Sequence, residues 1–180
     1  MKSSDKTVVN DVGTISLKEE VYITDPCYDI SVWCMCYLKN VFPGKYRCLI
    51  ETIDCGDWGN RVKELYVVKE DILEKYKELN KIPFPQEPTF RGIGVDSGQC
   101  GIFDADYYEE NQPDDDYDNP NSWYSKICNL TNDAGTIDDL GVACASGYGD
   151  GVYPLYTLQE EDKVVAMKVV FIENDEILDS

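Results

Sequence analysis

Between Ser146 and Tyr156 the chain reads Ser-Gly-Tyr-Gly-Asp-Gly-Val-Tyr-Pro-Leu-Tyr, which sets three glycines, one carboxylate and three tyrosines in eleven positions. Glycine reaches positive φ and lets another backbone or a ligand come close, at a conformational cost of roughly 0.5–1 kcal/mol each. A chain that bears this cost three times in succession is building a shaped turn, with Asp150 at its middle. Two shorter segments are of the same kind, Thr24-Asp25-Pro26-Cys27-Tyr28 and Val95-Asp96-Ser97-Gly98. Each sets a carboxylate at the end of an apolar, strand-like run.

Turn chemistry divides the remainder into short strands. Residues 12–17 and 20–24 are expected as neighbours joined near Lys18-Glu19, the second buried on both faces near a sheet centre. Phe42-Pro43-Gly44-Lys45 reads as a turn, because proline presets φ and the glycine after it is free. It launches a strand over 46–53, and Asp57-Trp58-Gly59-Asn60 turns the chain into 61–68, an antiparallel hairpin. Residues 93–96 and 101–104 read as strand, glycine turn and strand, and Gly149-Asp150-Gly151 reads as a hairpin turn. Strands at 141–145, 152–158 and 164–172 complete the set, the last β-branched enough for a central position. A helix is expected over 71–79, with Ile72, Leu73, Tyr76 and Leu79 on one stripe and Glu70 or Asp71 at its start. Pro83, Pro85 and Pro88 then force an extended connector. A second short helix spans 122–130 with Trp123, Ile127 and Leu130 on one face, and the acidic tail 173–180 frays. The fold class is therefore α+β, a mainly antiparallel β sheet in a sandwich or barrel-like form with two short helices.

At 180 residues the chain fits a single domain over 1–180, with an acidic surface loop at about 106–121. Its 35 acids against 16 bases leave a net charge of −19, which disfavours direct binding of a nucleic-acid backbone. Nine acids and no Lys or Arg lie between Gly92 and Ser125, densest at Pro113-Asp114-Asp115-Asp116-Tyr117-Asp118. That run reads either as a solvated loop or as a surface that imitates nucleic acid or draws cations. The absence of histidine removes Ser-His-Asp and Cys-His nucleophiles and histidine-held metals. The eight cysteines include no C-x-x-C pair, only Cys34-Met35-Cys36, so zinc is not expected and the thiols read as small hydrophobes. No apolar run approaches the roughly 20 residues of a membrane span. The first residues lack the apolar core of a signal peptide, and a cytoplasmic location is expected.

Any chemistry then falls to carboxylates, tyrosines, thiols, lysines or a hard cation. Pro26 holds Asp25 extended, so that its carboxylate projects from a strand end. Cys27 beside it has no cation in the nearby sequence to activate it. Asp96 and Ser97 sit at a turn, Asp104 at the far end of the strand that follows, and Asp106 and Glu109 cap the next segment. Tyr148, Tyr153 and Tyr156 flank an open glycine turn, where rings and hydroxyls can line a pocket. Arg61 and Arg91 each flank a glycine turn and can pair with a carboxylate or hold an anion. The expected binding site is Asp25, Asp96, Ser97, Asp104, Ser146, Tyr148, Asp150, Tyr153 and Arg61. If Asp25, Asp96 and Asp150 converge, their repulsion raises a pKa or recruits Mg²⁺ or Ca²⁺, which carboxylates favour over zinc. The alternative is that each aspartate accepts N–H groups of its own bend.

Taken in order, Asp25-Pro26, Pro43-Gly44-Lys45-Tyr46, Val95-Asp96-Ser97-Gly98, Phe103-Asp104 and Ser146 through Tyr156 resemble an uncharacterised bacterial and phage family, the domain of unknown function numbered 4241. The closing segment carries the specificity, and the chain departs from the family at Cys27-Tyr28 and in an acidic insertion after Asp106. The resemblance implies a common fold with a shared polar site and implies no activity. Three functions are compatible with these residues. The first is a cytoplasmic or phage-encoded protein that binds a small molecule or a protein partner and has no membrane partner. The second is a metal-dependent hydrolase in which one aspartate activates water. The third is an interaction protein whose acidic loop mimics nucleic acid.

Overall fold

Two antiparallel sheets form the molecule, and the three central strands of the smaller one are buried on both faces along most of their length. The computed structural model describes residues 7–31, 34–112, 116–130 and 133–174. In chain order the strands are β1 (Thr7–Leu17), β2 (Val21–Thr24), β3 (Cys36–Leu38), β4 (Gly44–Asp54), β5 (Asn60–Lys69), β6 (Phe90–Val95) and β7 (Gln99–Asp104). They continue with β8 (Ala134–Ile137), β9 (Gly141–Ala145), β10 (Gly151–Glu160) and β11 (Lys163–Val170). Three α-helices, α1 (Glu70–Tyr76), α2 (Ala105–Glu110) and α3 (Trp123–Cys128), and two single 3-10 turns, Gly56–Trp58 and Leu79–Lys81, complete the described elements.

The larger sheet has the order β1-β4-β5-β11-β10-β6 and the smaller β3-β2-β7-β9-β8, with every ladder antiparallel. Inward residues of both, including Ile23, Cys48, Leu65, Ile93, Ile102, Val142 and Met167, form the core between them. The smaller sheet is covered outside by α2 and α3. There Phe103, Tyr108 and Trp123 pack with ring centroids 5.0–5.5 Å apart, pairs worth about 0.5–1.5 kcal/mol each beyond their buried area. All four residues of β2 are buried, as its unbroken apolar run requires. Part of the larger sheet's outer face is covered by α1 and the connector after it, through Ile72, Ile82, Leu79 and Phe84. No helix among the described residues is long and apolar enough to cross a membrane.

Several expected pairings are corrected. β1 and β2 were expected side by side but lie in different sheets, and the chain crosses between them at residues 18–20. The glycine turns at Asp96-Ser97-Gly98 and Gly149-Asp150-Gly151 were expected to close hairpins. Both are arches instead, because β6 and β10 belong to the larger sheet and β7 and β9 to the smaller. An arch needs the same turn residues as a hairpin, and Gly98, Gly147 and Gly149 have φ of 77°, 59° and 118°. The first helix ends at Tyr76 rather than residue 79, since Lys77 takes φ 69° as its C-cap. Of the expected acidic loop at 106–121, residues 106–110 belong to α2, anchored by buried Tyr107 and Tyr108. Pro113, Asp114, Asp115 and the tail 175–180 lie outside the described residues.

Candidate functional site

Pro26 ends β2 and leaves Asp25 buried at the mouth of the sandwich, 1% exposed. Its carboxylate faces the arch between β6 and β7 rather than solvent. Oδ2 accepts the backbone N–H groups of Asp96 (2.9 Å) and Ser97 (2.7 Å). Oδ1 accepts the Ser97 hydroxyl (2.7 Å) and the Cys27 N–H (2.9 Å). Both oxygens are thus occupied by four donors, the kind of arrangement that lets an anion sit in the interior. Asp96 is exposed, and its carboxylate accepts the Tyr28 hydroxyl, which holds that phenol up to about 12. The arch at 146–150 is tied to the same place, because Ser146 N–H donates to Gly98 O (3.0 Å) and Gly151 pairs with Val95.

The other expected residues divide by position. Ser146 is buried and its hydroxyl donates to Gly149 O (2.8 Å). The Tyr153 hydroxyl reaches the same carbonyl (2.6 Å), so both close the glycine turn on itself. Tyr148 is exposed and lies 3.4 Å from Cys55 Sγ. Asp150 is exposed, one position beyond the Gly151–Val95 pair. Arg61 donates Nε to Trp58 O (3.0 Å). Asp104 is elsewhere, buried at the opposite end of β7, where it accepts the Lys18 N–H and caps α2. Among the described residues no group of three or more Cys, Asp or Glu side chains is placed to hold a metal ion, Asp25, Asp96 and Asp150 included.

A second polar locus lies on the outer face of the larger sheet, where α1 and its connector leave β4, β5, β11 and β10 uncovered. A groove of about 700 Å³ opens there, within the roughly 300–1,000 Å³ usual for small-ligand sites. Its floor carries Glu51, Glu64, Tyr66, Lys168 and Tyr156, and its walls include Phe84, Gln86 and Asn174. Glu51 and Glu64 stand directly opposite one another across the β4–β5 ladder, a like-charge pairing that destabilises a sheet. Neither carboxylate makes an ion pair among the described residues. Burial pushes the Glu64 carboxyl above the usual carboxylate range and Glu51 adds to this, while the Tyr66 hydroxyl and nearby Lys168 oppose it. Tyr66 donates to Glu64, and burial followed by the Glu64 charge raises that phenol. Lys168 Nζ lies 4.8 Å from the Tyr156 ring centroid and 5.0 Å from that of Phe84, a position that fixes its long side chain.

The sequence reading missed this groove, and the reason is one residue of register. Counting back from the Asp54–Asn60 pair places Glu51 opposite Lys63, an ordinary cross-strand ion pair. A bulge between Glu51 and Thr52 shifts the ladder and brings Glu64 opposite instead. Lys63 still lines the groove, its carbonyl accepting the N–H groups of Phe171 (2.8 Å) and Ile172 (3.2 Å) and its Nζ donating to Asn174 Oδ1 (2.8 Å) instead of to a carboxylate. Bulges re-aim side chains and concentrate next to active sites. The available signal was an outward glutamate on each arm of a predicted hairpin.

Over residues 18–170 the chain matches the family described as protein of unknown function (DUF4241), and it belongs to that family. No curated protein matches it, and no solved structure does.

Proposed function

We propose that this member of a family of unknown function is a small-molecule binding protein whose site is the outer groove over β4, β5, β11 and β10. The observation that carries this reading is the Glu51–Glu64 pair, opposed across one ladder and without an ion pair among the described residues, on the floor of a groove of about 700 Å³. A sheet face that only had to meet water would keep the Glu51–Lys63 register. Here a bulge exchanges it for a repulsive pair beside a tyrosine hydroxyl and a lysine held by two rings. Such an arrangement costs stability and gains it back when a ligand complements it.

The arches around Asp25, Asp96 and Asp150 act in this reading as the joint between the two sheets. Asp25 has no oxygen left to activate water or hold a metal, which counts against hydrolysis through that residue. The test is an amide-resolved NMR titration with a library of small polar metabolites. Shifts should concentrate at residues 51, 63–66, 84–86, 156 and 168. Shifts confined to residues 25–28, 96–98 and 146–150 would return the site to the arches and refute the groove.

A further inference from the structure

The groove floor is electrically divided, and the division specifies a ligand. On the β4–β5 side stand Glu51 and Glu64, two carboxylates opposed across one ladder. One strand over, on β11, Lys168 sits opposite Tyr66 and Tyr156, diagonal to Glu64. Residues so placed in a sheet have Cβ atoms about 7–8 Å apart or somewhat less. The remaining charged groups of the groove are Lys63, bound to Asn174, and Glu173 at the rim. The floor thus carries an acidic pair and a cation at the spacing of a short chain.

We propose, resting on the groove as the binding site, that its ligand is a small zwitterion, with a protonated amine seated at Glu51 and Glu64 and an acid group at Lys168. A lone cation would satisfy the acidic pair but meet Lys168 with like charge. A lone anion would satisfy Lys168 but meet two carboxylates, after approaching a chain of net charge −19. A zwitterion satisfies both ends and approaches without net charge. The Tyr66 hydroxyl, already committed to Glu64, holds that carboxylate in position. The Phe84 and Tyr156 rings do the same for Lys168, so the two poles are fixed before the ligand arrives, which lowers the ordering cost of binding.

Three length-matched probes test the assignment by calorimetry and NMR on the full chain: 5-aminopentanoic acid, pentylamine and pentanoate. The zwitterion should bind at least tenfold more tightly than either singly charged probe. Glu51→Gln, Glu64→Gln and Lys168→Met should each weaken it tenfold or more while the folded spectrum persists and the melting temperature does not fall, and Asp150→Asn should leave it unchanged. Equal binding of pentylamine, or of pentanoate, at the groove residues overturns the zwitterion and leaves the groove as the site. Failure of all three probes to bind overturns the zwitterion as well, and the metabolite titration then decides the groove independently. Tight binding that survives all three groove substitutions overturns both.

Discussion

Replacing Asp25 by alanine should open the joint between the sheets without touching the groove. The carboxylate receives four hydrogen bonds, and a bond to a charged group contributes about 1.5–3 kcal/mol to stability. Two of the donors are the amides of Asp96 and Ser97, which are exposed residues, so those amides recover water when the carboxylate is gone. The net loss is then closer to two such bonds than to four, about 4 kcal/mol. For a chain of this size each kcal/mol lowers the melting temperature by about 2–4 °C, so Asp25→Ala should fall by roughly 8–16 °C. Asp25→Asn keeps one acceptor oxygen and should lose about half as much. Calorimetry measures the fall, and hydrogen exchange should show faster opening of the amides of Asp96, Ser97 and Ser146, which the carboxylate and the Gly98 carbonyl protect. The account of Asp25 as a structural clamp fails if Asp25→Ala melts within about 2 °C of wild type while ligand binding disappears.

Other substitutions probe the core, the groove and the thiols. Gly141→Ala would bring a Cβ to 2.3 Å from Phe103 Cδ1, and such overpacking should cost about 1–3 kcal/mol, read as a lower urea midpoint with unchanged slope. The folded Glu64 carboxyl titrates above its unfolded value because of burial, so its contribution to stability is full below the unfolded pKa and is lost as pH rises through the folded one. Glu64→Gln, uncharged throughout, should therefore gain on wild type as pH rises above the ordinary carboxylate range, and a difference that stays constant with pH would contradict the burial argument. In the native protein a thiol reagent should modify exposed Cys128 first. Cys48, Cys100 and Cys144, buried and raised by that burial, should react only after unfolding.

Local chemistry was legible residue by residue. Gly59, Gly98, Gly147 and Gly149 take the positive φ their turns required, Ser122 caps the helix expected to begin at it, and Pro26 leaves Asp25 at a strand end. Sheet membership was not legible. A glycine turn says that the chain reverses, but a hairpin and an arch reverse it equally well. The difference depends on whether the next strand finds its partner in the same sheet or the opposite one. The small helix α2 was hidden for a related reason, since Tyr107 and Tyr108 become core residues only against Phe103 and Trp123.

The amino-acid order by itself determined where the chain turns, which runs are extended, and that an aspartate stands beside three of the turns. It also determined that catalysis, if any, proceeds without histidine. Tertiary structure alone decided that the Asp25 carboxylate holds a neighbouring arch as well as its own bend, and that Glu51 faces Glu64 instead of Lys63. Both depend on long-range register, where a single bulged residue exchanges an ion pair for a repulsion, and no short-range preference of the chain encodes that choice.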